Sequence, residues 1–259
     1  PVIKNRLFFF ANAEVARNQV PVFYQAGQVG VPVSGALAQQ LATKLRTANG
    51  YDVGRSGSYN IYANSDKLFG RLDFNLNDKT SIALRHNFIQ SRATNLERSA
   101  GLFKFGSQDF EQNNVQNSTV LEVKSNISNK LANNFIMGYT DIHDYRTLLD
   151  GRQVFPAVQI GNVGPEAGTT PGQTFRGSGQ VLMGADREAS IFNMYQKTLE
   201  LTDNLTYFAG PHALTLGTHN ELYTIDYGFI NAWNGRIEYN NVDDFMADKP
   251  NRIRGTYRV

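Results

Sequence analysis

Acidic and histidine side chains occur in two places where their spacing would allow a metal site. Asp141 and His143 are alternate residues of a predicted strand and therefore share one of its faces. Three acidic residues precede a proline at position 250: Asp243, Asp244 and Asp248. The first pair has no third ligand nearby, and the second set is typical of a cap on a short helix that the proline ends. The sequence therefore predicts no metal and no other cofactor.

Catalytic chemistry would most simply use histidine, and the chain has four of them: His86, His143, His212 and His219. None stands in a GxSxG, HExxH or comparable motif. The sequence therefore predicts that the protein is not an enzyme. A Ser/His pair assembled across strands would leave no trace in sequence order, so an enzyme of that kind remains an alternative hypothesis.

Aromatic and arginine side chains in two long connections are the candidate ligand contacts. They are Tyr227, Phe229, Trp233, Arg236 and Tyr239 in one connection, and Phe155 and Phe175 in another. Such side chains supply rigid contact area in binding sites. The alternative is that they pack the loops or form an interfacial aromatic girdle.

Composition and charge restrict the classes of protein that fit. The 259 residues are 41% hydrophobic and 12% aromatic, with 25 Lys and Arg against 23 Asp and Glu. A net charge of +2 gives no field that would attract nucleic acid, so no nucleic-acid partner is expected. The chain has no cysteine, which excludes disulfides and thiolate metal sites.

Period-two alternation dominates the chain and predicts antiparallel strands. The predicted strands are residues 5–16, 65–77, 80–92, 115–128, 131–145, 194–208 and 212–227, with a last one starting near residue 254. In the second of them Leu72, Phe74 and Leu76 occupy one face. The charged side chains predicted for the opposite face of the strands are Arg71, Asp73, Arg85 and Glu200.

Short and long connections alternate along the chain. Residues 77–79, 129–130 and 209–211 are tight turns, whereas 17–64, 93–114, 146–193 and 228–253 are long. An up-and-down meander then has all its tight turns at one end, as in transmembrane β-barrels with short periplasmic turns and long extracellular loops. Leu72 would face lipid and Arg71 a watery lumen. The alternative is a soluble or surface-attached β-rich binding module, which long strands and loops of low hydrophobicity disfavour.

Several segments resemble one family of outer-membrane proteins. "PVIKNRLFFFANAEVAR" at 1–17, "SDKLFGRLDFNLNDKTSIALRHNF" at 65–88, "GPHALTLGTHNEL" at 210–222 and "NNVDDFMADKP" at 240–250 are similar, in order, to motifs of TonB-dependent receptors. The resemblance is to the Oar-like group, whose members carry a carboxypeptidase-regulatory-like domain and are common in Bacteroidota. It implies a bacterial outer-membrane protein that imports a substrate with the TonB-ExbB-ExbD complex and contacts outer-membrane lipid.

The resemblance also implies that the chain is one part of a receptor. A full receptor closes about 22 strands around a plug domain, whereas about eight strands are expected here. The plug and the TonB box have no counterpart in residues 1–259. The sequence is therefore expected to be a partial barrel domain, and an open sheet of this size would need further strands to complete it in a membrane.

Overall fold

The computed structural model describes residues 2–149, 154–164 and 177–256. Twelve strands and two helices are found in this part of the chain. The strands are β1 (Leu7–Pro21), β2 (Asn60–Asn77), β3 (Thr80–Asn95), β4 (Leu102–Lys104), β5 (Phe110–Ser128), β6 (Leu131–Leu148), β7 (Ala157–Val163), β8 (Gly179–Met183), β9 (Ile191–Ala209), β10 (His212–Ile230), β11 (Arg236–Tyr239) and β12 (Arg252–Arg254). The helices are α1 (Gly35–Asn49) and α2 (Val242–Met246).

Seven long strands form one antiparallel sheet, which we call the wall. Its order is β1-β2-β3-β5-β6-β9-β10, so each strand pairs with the next long strand along the chain. The first seven predicted strands all exist but are longer than the alternation indicated, at 15 to 19 residues. Their extra residues lie mainly at the end with the long connections, where composition is polar and alternation is weak.

One face of the wall, here called the apolar face, carries a continuous row of hydrophobic side chains. Register places Phe9, Leu72, Leu84, Leu121, Met137 and Leu201 directly opposite one another across six strands. Leu72 is 46% exposed and Leu76 is 49% exposed. The row therefore has no second protein layer over it in the described part of the chain, as a soluble sandwich would require.

The other face is here called the charged face. It carries the four charged side chains that were predicted to lie opposite the hydrophobic ones: Arg71, Asp73, Arg85 and Glu200. Arg71 pairs directly with Arg85 in the register, and the same row continues through Val120 and Gly138 to Glu200. Asp73 lies two residues from Arg71 on that face, and its carboxylate accepts hydrogen bonds from the Arg71 guanidinium at 2.7–3.1 Å. The alternation is looser on β1, where Phe8, Phe9 and Phe10 are all exposed.

The long connections fold into a second unit, here called the cap. Its sheet has the order β12-β11-β7-β8-β4, with parallel pairing of β7 with β11 and of β4 with β8. Helix α1 and the short helix α2 complete it. The expectation of loops with little to pack on was wrong, because the few apolar residues of four separate loops meet in one core.

The core of the cap consists of large side chains that are almost fully buried. The most buried are Val33, Leu37, Leu41, Phe103, Phe105, Ile160, Val181, Met183 and Phe245. Helix α1 contributes one face at helical spacing, and its ends are defined by the sequence. Ser34 Oγ accepts the N–H of Leu37 at 3.1 Å, and Gly50 takes the left-handed conformation that ends the helix.

Three local expectations need correction. Residues 146–193 were predicted to be a long connection without strands, but they contain β7 and β8; residues 150–153 and 165–176 lie outside the described part. The strand expected from residue 254 is instead the three-residue β12 of the cap. The short helix before Pro250 exists, but its cap is Asn241, whose side chain accepts the N–H of Asp244.

Candidate functional site

Buried hydrogen bonds hold the segments that lead from the cap into the wall. Gln108 Nε2 donates to the carbonyls of Met183 and Gly184, both at 2.8 Å. The Tyr59 hydroxyl donates to the Asp109 carboxylate at 2.7 and 2.9 Å, and burial together with that carboxylate raises the pKa of Tyr59. The residues that immediately precede β2 and β5 are therefore held together.

A cavity of about 380 Å³, here called the junction cavity, lies where the cap meets the long-connection end of the wall. The residues that matter most for its chemistry are Lys104, Gln108, Phe110, Arg146, Asp186 and Arg236. Its volume is at the lower end of the range of small-molecule sites. Because Phe110 and Arg146 share the charged face with Glu200, the cavity opens at the end of that face.

Arg146 lines the junction cavity and is held in a fixed orientation. Its Nε donates to Gln112 Oε1 at 2.8 Å and its Nη1 donates to the carbonyl of Glu188 at 3.0 Å. The guanidinium lies over the rings of Phe110 and Phe192, 5.1 and 4.2 Å from their centroids. Stacking of this kind holds a cation in place without neutralising it.

An aromatic platform, formed by Phe192, Tyr227 and Phe229, adjoins Arg146 on the charged face. Phe192 and Phe229 are direct partners in the register of β9 and β10, and the rings of Tyr227 and Phe229 lie 6.2 Å apart and nearly parallel. Tyr227 is 54% exposed. The platform and the junction cavity are linked through the contact between Phe192 and Arg146.

The structure brings three of the seven candidate binding residues together and separates the others. Tyr227 and Phe229 are strand residues of the platform rather than loop residues, and Arg236 lines the cavity. Tyr239 packs edge-on against Phe245 at 5.2 Å, and Phe155 stacks on Tyr51 at 4.4 Å. These two side chains belong to the packing of the cap.

The two remaining candidates have different positions. Trp233 is half-buried in the turn between β10 and β11. The adjacent backbone of that turn is tied to the loop before β9, since Ala232 N–H donates to the carbonyl of Arg187 at 2.7 Å. Phe175 lies outside the described residues.

Arg236 is the most enclosed of the predicted cations. Its side chain is 15% exposed, its Nε lies 3.0 Å from Glu238 Oε1, and its guanidinium also donates to Gln159. Burial lowers the pKa of Arg236 from its usual range, and the neighbouring cations Arg187 and Arg254 lower it further. The negative charge of Glu238 raises the pKa of Arg236 and so opposes this lowering.

Lys104 and Phe192 were missed by the analysis of the sequence. Lys104 lies in a strand of three residues, which is too short to show alternation. Phe192 precedes the predicted start of its strand. The only available signal was the "LFKF" stretch at 102–105, in which a lysine stands between buried aromatic residues.

The histidines occupy separate places on the wall. His143 shares the apolar face with Asp141, but it is stacked between Tyr145 and Tyr195, at 4.4 and 3.9 Å between ring centroids. His219 contacts Thr202 and Glu221 on the charged face. Residues 2–149, 154–164 and 177–256 contain no group of three or more acidic or histidine side chains placed to hold a metal ion.

A second cavity, of about 630 Å³, lies at the tight-turn end of the wall. Its lining is polar and mostly exposed, and it includes Lys4, Arg6, Asp78 and Lys79. It is larger than the junction cavity, but no buried charge or aromatic ring is found among the residues that line it. The junction cavity is therefore the better candidate for recognition.

Comparison with known proteins identifies the architecture. Residues 31–259 match the family described as outer membrane beta barrel domain. The chain belongs to the outer membrane beta barrel domain family. It is a protein of the bacterial outer membrane, and the wall is an antiparallel segment of such a barrel. This result decides against the soluble module that the alternation had left open.

A solved structure supports the same architecture. The outer membrane transporter YddB from Escherichia coli is similar to this family member with a TM-score of 0.50 and 12% sequence identity. The similarity covers 90% of this chain and 26% of that chain, so the chain spans about a quarter of the length of YddB. At this identity the similarity establishes the fold alone. The comparison with curated proteins found no match.

No helix within the described ranges combines the length and the hydrophobicity that a membrane-spanning helix needs.

Proposed function

We propose that this chain forms part of the wall and the mouth of a TonB-dependent transporter of the Oar-like group, which imports a small molecule across the outer membrane. The observation that carries the proposal is the difference between the two faces of the wall. The apolar face exposes an unbroken hydrophobic row over six strands, and the charged face leads to the junction cavity. The apolar face is suited to contact with lipid, and the charged face is suited to line a water-filled path.

The orientation follows from the ends of the wall. Tight turns at 78–79, 129–130 and 210–211 would face the periplasm, and the cap would stand at the cell surface. A bilayer needs only about 9–11 tilted residues per strand, and strands of up to 19 residues would therefore project beyond it. The projecting parts carry Arg146 and the aromatic platform, which places the candidate site at the mouth.

Energy coupling is the part of the proposal that the resemblance alone supports. In the family, the TonB-ExbB-ExbD complex uses the proton gradient of the inner membrane to open a plug. The wall also needs partners, because β1 and β10 have no neighbour on their outer sides among the described residues. Strands that pair with both edges would satisfy their backbone groups in lipid.

The proposal is tested by uptake in the native bacterium. Depletion of small molecules from the growth medium is followed by mass spectrometry in the wild type, in a deletion strain, and in the wild type treated with a protonophore. We expect at least one compound whose depletion requires both the gene and the proton gradient. We also expect the double substitution Arg146→Ala and Phe192→Ala to slow its uptake about tenfold or more, because stacked aromatic and arginine contacts are typical hot spots.

Thr43→Ala is the matched control, since Thr43 is exposed on the outer side of α1 and away from the cavity. Both variants must reach the outer membrane at the wild-type level. Gene-dependent uptake that continues at the same rate without a proton gradient would contradict energy-coupled import and would indicate a passive pore.

A further inference from the structure

The junction cavity contains more positive than negative side chains. The cations that line it are Lys104, Arg146, Arg187 and Arg236, and the acids are Glu97, Asp186 and Glu188. One of the acids is a weak counter-charge for the cavity, because the Glu97 side chain is 75% exposed to solvent. The cavity is therefore suited to an anion.

Lys104 is an enclosed cation of the junction cavity, with a side chain that is only 13% exposed. Phe103 and Phe105 on either side of it are buried in the core of the cap, so alternation along the chain directs Lys104 the opposite way, toward the cavity. Its Nζ lies 3.8 Å from Glu97 and 4.0 Å from Asp186, beyond hydrogen-bonding distance. Within the described residues, this ammonium group donates no hydrogen bond. Glu97 and Asp186 lie within ion-pair distance but leave its donors unused, so these donors are available to an anion in the cavity.

The position of Lys104 is fixed by its backbone. Arg98 Nε donates to the carbonyl of Lys104 at 2.7 Å, and the Arg98 guanidinium also donates to the carbonyl of Arg55 at 3.1 Å. The backbone of β4 is further held by its parallel pairing with β8. A preformed cation of this kind binds an anion without the entropic cost of ordering the backbone.

Arg146 supplies a second set of donors in the same cavity. Its described contacts are an amide oxygen, a backbone carbonyl and two aromatic rings, so none of them neutralises its charge. A guanidinium is planar and can present parallel N–H groups to a carboxylate or a phosphate.

We propose that the junction cavity binds the anionic group, carboxylate or phosphate, of the molecule that the transporter imports, with Lys104 as its charge partner and Arg146 as the second donor. This assignment of a ligand class rests on the proposed function for its biological meaning. The binding itself is a property of the cavity and can be measured separately.

The experiment is a ligand-observed NMR titration of the full-length protein in detergent with three probes. Acetate represents a carboxylate, inorganic phosphate represents a phosphate, and acetamide is the neutral counterpart of acetate. We expect saturable binding of at least one anion and none of acetamide. Lys104→Gln should weaken anion binding about tenfold or more, because a charge-assisted hydrogen bond is lost. The anion that binds more tightly identifies the ligand group.

Two further variants serve as a control and as a second, independent test. Lys44→Gln is the matched control, because Lys44 is equally enclosed in the cap but pairs with Asp248 at 2.6 Å and does not line the cavity. It should leave anion binding unchanged. Asp186→Asn removes a negative charge near Lys104 and should tighten anion binding, so the proposal stays testable if the Lys104 variant does not fold.

Three outcomes would overturn the proposal: neither anion binds the wild type, acetamide binds as well as acetate, or the Lys104 and Lys44 variants bind alike. If uptake still depends on the proton gradient in that case, only the ligand class is wrong. If an anion binds as expected but uptake does not depend on the gradient, the proposed import mechanism is wrong.

Discussion

The carboxyl group of Asp186 is buried between β8 and β9, where its Oδ1 accepts the N–H groups of Glu188 and Ala189 at 2.8 and 3.1 Å. Burial raises the pKa of Asp186, and these two hydrogen bonds and Lys104 offset that effect only in part. The buried site therefore favours the neutral form of this carboxyl group, while its Oδ1 holds the turn through two hydrogen bonds.

We expect Asp186→Asn to stabilise the cap at neutral pH and to have no effect in acid. The amide oxygen still accepts both N–H groups, while the cost of burying a charge disappears. A folded-state pKa above the unfolded value of about 3.9 means that the stabilising contribution of Asp186 is complete below pH ~4 and is lost as pH rises through the folded pKa. The difference between variant and wild type should therefore appear above pH ~4.

Hydrogen exchange of the cap peptides in the full-length protein, followed from acid to neutral pH, measures this difference. Asp186→Ala is the control, because it removes both hydrogen bonds and should destabilise the cap by about 1–3 kcal/mol at every pH. A variant Asp186→Asn that loses protection at neutral pH would show that the charge itself stabilises the turn.

In the proposed arrangement, each strand of the wall has one face toward lipid and one face toward water. Strand β5 provides an example of both. Leu121 belongs to the apolar row and is paired with Leu84 and Met137. Ser118, three residues earlier, lies on the charged face opposite Thr140, with the two hydroxyl oxygens 3.1 Å apart. The same strand thus offers one test position on each face of the wall.

We expect Leu121→Lys to destabilise the wall by about 2–4 kcal/mol and to reduce the amount of folded protein in the outer membrane, because an ammonium group would face hydrocarbon. Ser118→Lys should be tolerated, since its charge would face water. The heat-modifiable mobility of the folded protein on gels, together with its level in outer-membrane fractions, provides the measurement. Equal loss in both variants would contradict the assignment of the two faces.

The two ends of the molecule differ in structure. Because the sequence has no cysteine, a single introduced cysteine can label one end at a time. The cap and the tight turns lie at opposite ends of the seven-stranded wall. Asp78 in a tight turn and Thr43 on α1 are both exposed. We expect a cysteine at Thr43 to react with an impermeant maleimide on intact cells, and a cysteine at Asp78 to react only after the outer membrane is opened.

The full-length protein without an introduced cysteine must be checked first for background reaction. Labelling of Asp78→Cys on intact cells, with Thr43→Cys protected, would show that the orientation is reversed. Labelling of both on intact cells would be inconsistent with a wall that crosses the membrane.

The wall could be predicted from the sequence because alternation is a local property. Successive side chains of a strand point to opposite faces, so Leu72 and Arg71 reveal both faces from their order alone. The tight turns at Asn77 and Gly210 similarly depend on the residues within them. Helix α1 was also within reach, since Ser34, the spacing of Leu37, Leu41 and Leu45, and Gly50 form a complete helix pattern. It was not predicted because residues 17–64 were assigned as a whole to a long polar connection.

The cap and the junction cavity were decided only by the tertiary structure. The core of the cap is assembled from four connections that are distant in sequence, and none of them alone has enough apolar residues to indicate a core. Lys104, Arg146 and Arg236 come together for the same reason: a cavity is made by contacts between elements, whereas a sequence pattern records only neighbours along the chain. Tyr239 and Phe155 have the residue types of a binding site, yet packing placed them in the cap.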